Sequence, residues 1–160
     1  MASIFGIQLK GAKTFMGHEG PCIQGNVYKD GKKLGLWSED SWGGEPFREF
    51  DESLCEEAVS AYKKIAPVGE EERKYISLDW LICDLYHLNR LHSGFKKARK
   101  KGYKTYVAAN NSFKQMGYYD VCEKPEDTEY YRYFLGKCRT ELGDDMVVKV
   151  YREDSDFDIA

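Results

Sequence analysis

Residues 15–45 read FMGHEGPCIQGNVYKDGKKLGLWSEDSWGGE. Asp30-Gly31 stands between two β-prone runs, and glycine readily takes the positive φ that a two-residue type I′ turn demands, so the stretch predicts a β-hairpin. With that turn, Lys29 faces Lys32, Val27 faces Leu34 and Gly25 faces Leu36. Ile23, Val27, Leu34 and Leu36 then share one face, the expected core face. Gln24, Asn26, Tyr28, Lys33 and Trp37 fall on the other, which is too polar for a second core and unusually aromatic for plain solvent exposure. Residues before Ile23 and after Ser38 leave the ladder at the end opposite the turn. The glycine loops GHEG (17–20) and SWGGE (41–45) are therefore expected to be neighbours in space.

Working outward, Ile4 to Lys10 alternate as a half-buried strand with Phe5, Ile7 and Leu9 on one side, followed by a glycine-bearing loop over 11–20. Pro46 ends any strand beyond Trp37. From Asp51 the period becomes helical: Leu54, Ala58, Ala61 and Ile65 form a stripe, Ser53 and Glu56 have capping-box spacing, and Pro67 closes the segment. The acidic link VGEEERK (68–74) reads as a mobile surface loop. A second helix spans Ser77 to about Lys101 with Leu78, Leu81, Ile82, Leu85 and Leu88 in its apolar stripe, and Gly94 as a soft point where it can break. Extended segments follow at 105–109 and 118–122, with turn chemistry at Asn110-Asn111-Ser112. A third helix over 128–142 is capped by Asp127 or Thr128, buries Tyr131, Leu135, Cys138 and Leu142, and stops at Gly143. A last strand spans 146–151, and the acidic tail 152–160 is expected to fray. The sum is one α+β domain over 1–160: a mainly antiparallel sheet with an N-terminal β-hairpin, packed against about three helices.

A chain of 160 residues is long enough to bury a sizeable core, and its net charge of -3 provides no general attraction for nucleic acid. Five cysteines without a CxxC pair support neither a disulfide framework nor a zinc ribbon and point to a reducing cytoplasm. No leader pattern and no membrane-spanning apolar run is read. Aromatic residues make up 14% of the chain, tyrosine foremost, a composition that suits an aromatic core or a binding surface.

Five constellations bear on chemistry. The two glycine loops offer backbone amides at Gly43 and Gly44, a stacking ring at Trp42, and polar groups from His18, Glu19 and Arg48. That set is able to hold a small anionic or nucleotide-like ligand, against the plainer reading of two ordinary connections. The basic run GFKKARKKGYK (94–104) places Lys97, Arg99 and Lys100 for phosphate contact, although cations at a helix C-terminus also complement its dipole. Trp80, Cys83, His87 and Leu91 cluster on the second face of the long helix, where a partner or a homodimer contact fits. Asp79, Cys83 and His87 have metal-ligand spacing without a fourth ligand, and His18, Glu19 and Cys22 are near in sequence without a nucleophile motif, so neither a metal nor a catalytic role is expected. No cofactor fingerprint occurs.

GHEGPCIQGNVYKDGKKLGLWSEDSWGGEPFREF, followed by a helix, the KKARKKG segment, a strand, a tyrosine-containing helix and a short end strand, resembles a group of small proteins encoded by phages and other mobile elements. Where members of that group often carry an aromatic residue or cysteine after the GG, this chain has Glu45 and Pro46. The resemblance implies counter-defence in the cytoplasm of a bacterial host, by sequestering a small nucleotide-derived immune signal without catalysis or by blocking a host defence protein such as a CRISPR effector. A small phosphate- or nucleic-acid-processing enzyme is the further alternative.

Overall fold

The Asp30-Gly31 turn forms as read, with both residues at positive φ (48° and 79°) and Lys29 opposite Lys32. Around it the computed structural model describes residues 1–66, 68–110, 121–123, 128–144 and 146–160. Pro67, Asn111, Ser112, residues 118–120 and Asp127, to which helix-stop, turn, strand and cap roles were assigned above, lie outside the described residues.

Strands β1 (Ser3–Ile4), β2 (Ile7–Met16), β3 (Pro21–Lys29), β4 (Lys32–Ser38) and β5 (Phe47–Arg48) build the first sheet. Then come a 3-10 turn (Glu52–Cys55), helix α1 (Glu56–Ile65), a 3-10 turn (Glu72–Tyr75) and helix α2 (Leu78–Lys100). Strands β6 (Tyr106–Asn110) and β7 (Val121–Glu123), helix α3 (Thr128–Leu142), strand β8 (Val147–Tyr151), a 3-10 turn (Asp154–Phe157) and strand β9 (Asp158–Ile159) complete the chain. Six strands lie in the order β5-β4-β3-β2-β1-β9 and three in the order β7-β6-β8, antiparallel except where β1 meets β9. The α+β expectation with three helices is met among the described residues.

Several local readings change. The first strand is broken at Phe5 (φ 45°) and Gly6 (φ 76°), so that Ile4 turns back to pair with Ile7 and joins Ile7 and Leu9 in the core while Phe5 occupies the turn. The strand that follows continues through the expected loop as far as Met16, because a bulge between Lys10 and Lys13 absorbs Gly11 and keeps pairing with β3. A second bulge at Leu34 slips the hairpin register by one residue, giving Val27 opposite Gly35 and Gly25 opposite Trp37. A one-residue slip exchanges faces. Trp37 is thereby fully buried and Leu36 faces away from the core, the reverse of the simple hairpin reading. The 3-10 turn ahead of α1 shifts that helix's phase, so Cys55, Ala58 and Tyr62 are buried while Leu54 and Ile65 stand 49% and 50% exposed. Asp51 caps this turn by accepting the Ser53 N–H, in place of the Ser53/Glu56 box.

Helix α2 crosses the sheet diagonally. Its first turn meets β4 and β5 through Asp79, Asn89 bonds the Leu9 carbonyl and the Ala2 amide, and His92 reaches Asp154 beyond β1. It runs unbroken through Gly94, where a Cβ would stand 2.6 Å from the Tyr106 ring and 2.2 Å from its hydroxyl. Glycine at this point permits close helix-sheet contact; it does not break the helix. The 68–74 link is pinned, with Val68 buried and the Arg73 guanidinium donating to the carbonyls of Lys63 and Lys64 at the end of α1. The C-terminal segment does not fray. β9 pairs in parallel with β1, Ser3 bonds Asp158, and Phe157 is fully buried, stacked on Tyr151 (4.2 Å) and His92 (4.4 Å). Among the described residues no helix is long and apolar enough to cross a membrane.

Candidate functional site

The end of the hairpin opposite the Asp30-Gly31 turn brings residues 17–20 against residues 39–46. His18 N–H donates to the Ser41 carbonyl (2.6 Å), and the His18 ring stacks on Trp42 at 4.4 Å with 24° between planes. The two glycine loops are neighbours, as the position of the hairpin turn requires. Glu39 ties them to the sheet: its N–H donates to the Ile23 carbonyl, and its carboxylate accepts the Ile23 N–H at 2.6 Å. Gly43, at φ 76°, lies so near Glu19 that a Cβ would stand 2.8 Å from that carboxylate.

This geometry decides what the site can hold. The Gly44 N–H donates to the Asp40 carboxylate at 2.8 Å and the Gly43 N–H to the Asp40 carbonyl at 3.2 Å. Both amides expected to greet an anion are therefore occupied within their own turn. The cleft between the loops, about 330 Å³, is lined by Glu19, Cys22, Glu39, Asp40, Gly43 and Gly44. Its ionisable lining is acidic, which repels phosphate and attracts cations. Trp42 is 70% exposed, and Met16 and Phe47, at the strand ends next to the two loops, are exposed as well. Cys22 turns its thiol to the carbonyls of Gly20 and Asp40 (3.7 and 3.8 Å).

Arg48, assigned above to ligand binding, sits elsewhere in the network. Its guanidinium pairs with Asp79 (2.5 Å) in the first turn of α2 and with Glu52 (3.5 Å), while Trp37 Nε1 donates to the same Asp79 at 2.8 Å. Arg48 thus staples β5 to α2 under the buried indole. Asp79 is consumed by the same contacts, and among the described residues no group of three or more His, Cys, Asp or Glu is placed to hold a metal.

The second face of α2 is not an open surface either. Leu91 is buried, Trp80 and Cys83 pack against the core, and His87 is half-buried. Burial pushes the Cys83 thiol up to about 12, with Glu39, Asp84 and Asp79 adding to it. Burial likewise lowers the His87 pKa, helped by Arg90. At the far end of α2, Lys97, Arg99 and Lys100 are exposed, Arg99 lies over the Phe95 ring at 5.7 Å, and the helix closes through Gly102 at φ 89°. Lys96 acts on Asp154 of the C-terminal segment, and Lys101, just past the helix, is exposed like Lys97, Arg99 and Lys100.

Sequence reading passed over Asp84, buried at 2% exposure and accepting the Tyr62 hydroxyl at 2.5 Å. Desolvation raises its pKa to about 6, opposed by the Tyr62 hydroxyl and by the Trp80 indole, whose N–H points its way without reaching hydrogen-bond geometry. The signal was present: Asp84 stands three residues after Leu81 and four before Leu88, inside the apolar stripe. Searches of family models, curated proteins and solved structures find nothing that matches this chain.

Proposed function

We propose that this protein is a non-catalytic binding protein that acts by protein-protein contact, taking a basic segment of its target across Trp42 between Glu19 and Glu45. The observation that carries this reading is the closure of the Gly43 and Gly44 amides by Asp40 beneath an acidic cleft. A phosphate there would meet carboxylates and no free glycine amide, whereas a lysine or arginine finds carboxylates beside an exposed indole that favours cation-π contact. Of the roles implied by the resemblance to phage-encoded proteins, blocking a host defence protein fits this chemistry better than sequestering a nucleotide signal. Sequestration retains one observation in its favour, the 70% exposed Trp42 ring, on which a base can stack.

Thermal unfolding separates the two. A ligand at 100 times its Kd stabilises the native state by about 2.7 kcal/mol, several degrees in Tm for a domain of this size. A peptide alternating lysine, arginine and aromatic residues is expected to raise Tm in low salt, with the effect lost in Trp42→Ala. Cyclic di- and trinucleotides are expected to leave Tm unchanged. A nucleotide that raises Tm in the wild type and not in Trp42→Ala overturns the protein-contact reading.

A further inference from the structure

Charge is segregated along the molecule. Residues 17–23 and 38–47, which form the loop end, contain four acids (Glu19, Glu39, Asp40, Glu45) and no lysine or arginine. Residues 94–104 contain six cations and no acid. The two sets lie at opposite ends of α2, since Asp79 in its first turn is bonded to Trp37 next to the loop end, while Lys97, Arg99 and Lys100 occupy its last turn. The 18 to 21 residues of helix between Asp79 and Lys97–Lys100 hold them about 30 Å apart, too far to neutralise one another within the chain.

We infer that the basic segment fitting the loop end is the last turn of α2 of a second copy, so that the chain assembles head to tail. This rests on the reading of the loop end as a cation-seeking surface and names its partner. The fit is chemical as well as electrostatic. Lysine stems are apolar and lie well on an indole, and the two loops carry the exposed Trp42 together with exposed Glu19 and Glu45, with exposed Met16 and Phe47 at the adjoining strand ends. Each copy uses a different surface at each end, so the contact is heterologous and leads to rings or open chains instead of a closed two-fold dimer.

Sedimentation velocity of the full chain tests it. In about 0.01 M salt the sedimentation coefficient is expected to rise with protein concentration, and in about 1 M salt, where the screening length falls to ~3 Å, the 18.5 kDa monomer should remain. Lys97→Glu with Lys100→Glu, and separately Glu19→Lys with Glu45→Lys, should each weaken association about tenfold or more, since all four residues are exposed and each reversal sets like charges face to face. An equimolar mixture of the two double variants should associate again, a result that misfolding of either cannot produce. A wild type that is monomeric at every concentration in low salt overturns the head-to-tail contact, as does a mixture that fails to associate. If the monomeric wild type still binds the basic peptide through Trp42, only the second-copy inference falls; if it does neither, the reading of the loop end falls with it.

Discussion

Replacing Asp84 by asparagine should remove a pH dependence that the fold itself creates. Asp84 is 2% exposed and its pKa is raised to about 6, against 3.8 for an ordinary aspartate. The folded state therefore binds this proton more tightly than the unfolded chain. Stability from this group is fully present below about pH 4, falls as pH rises through 6, and stays low above it. A separation of about 2 between the folded and unfolded values corresponds to ~3 kcal/mol, with a slope near -1.4 kcal/mol per pH unit between them. In Asp84→Asn the side-chain amide oxygen still accepts the Tyr62 hydroxyl and the group never ionises, so the slope should vanish. The buried NH2 that the substitution introduces costs about 1–3 kcal/mol when unpaired, which moves the whole curve and leaves its shape intact. Urea unfolding at half-unit steps from pH 4 to 7.5 measures both proteins. Subtracting one from the other cancels the carboxylates with lowered pKa, Asp51, Asp154 and Asp156, which give the opposite slope. A difference that stays flat across this range would show that Asp84 ionises as an ordinary carboxylate and would refute the assignment.

Three further outcomes follow from the contacts. Gly94→Ala gains about 1 kcal/mol of helix propensity but forces the Tyr106 ring aside, so a net loss of about 1–2 kcal/mol is expected; in a Tyr106→Ala background the same change should become neutral or stabilising. Arg48→Ala should lower stability by about 1.5–3 kcal/mol through Asp79 and leave affinity for the basic peptide unchanged, whereas a ligand-binding arginine would show the reverse in calorimetry. Phe157→Ala should cost about 3–5 kcal/mol in chemical denaturation, because the ring is fully buried between Tyr151 and His92; a frayed tail would give no loss.

What the sequence revealed divides along physical lines. The Asp30-Gly31 turn was legible because backbone sterics alone select it, and the meeting of GHEG with SWGGE followed from that turn whatever the register. The faces of β4 were not legible. The bulge at Leu34 is a tertiary choice: residues 49–50 cross over Gly35, where a Cβ would stand 2.9 Å from Glu49, and the slip brings Trp37 to Asp79. Composition misled at the C-terminus, where the acids of 153–158 obscured Phe157 as a core residue. At the loop end, the meeting of His18 with Trp42 was legible from the turn, whereas the Gly43 and Gly44 N–H groups point into their own turn at Asp40, a direction that depends on local backbone geometry rather than on residue type.

The most direct test of the central claim is an amide and indole NMR titration at the loop end. With the lysine- and arginine-bearing peptide, the Trp42 indole and the backbone amides of His18 to Gly20 should shift together in low salt and return on adding salt, while a cyclic dinucleotide leaves them in place. Large shifts of the Gly43 and Gly44 amides with the nucleotide, and none with the peptide, would show that these donors open to phosphate and would contradict the account.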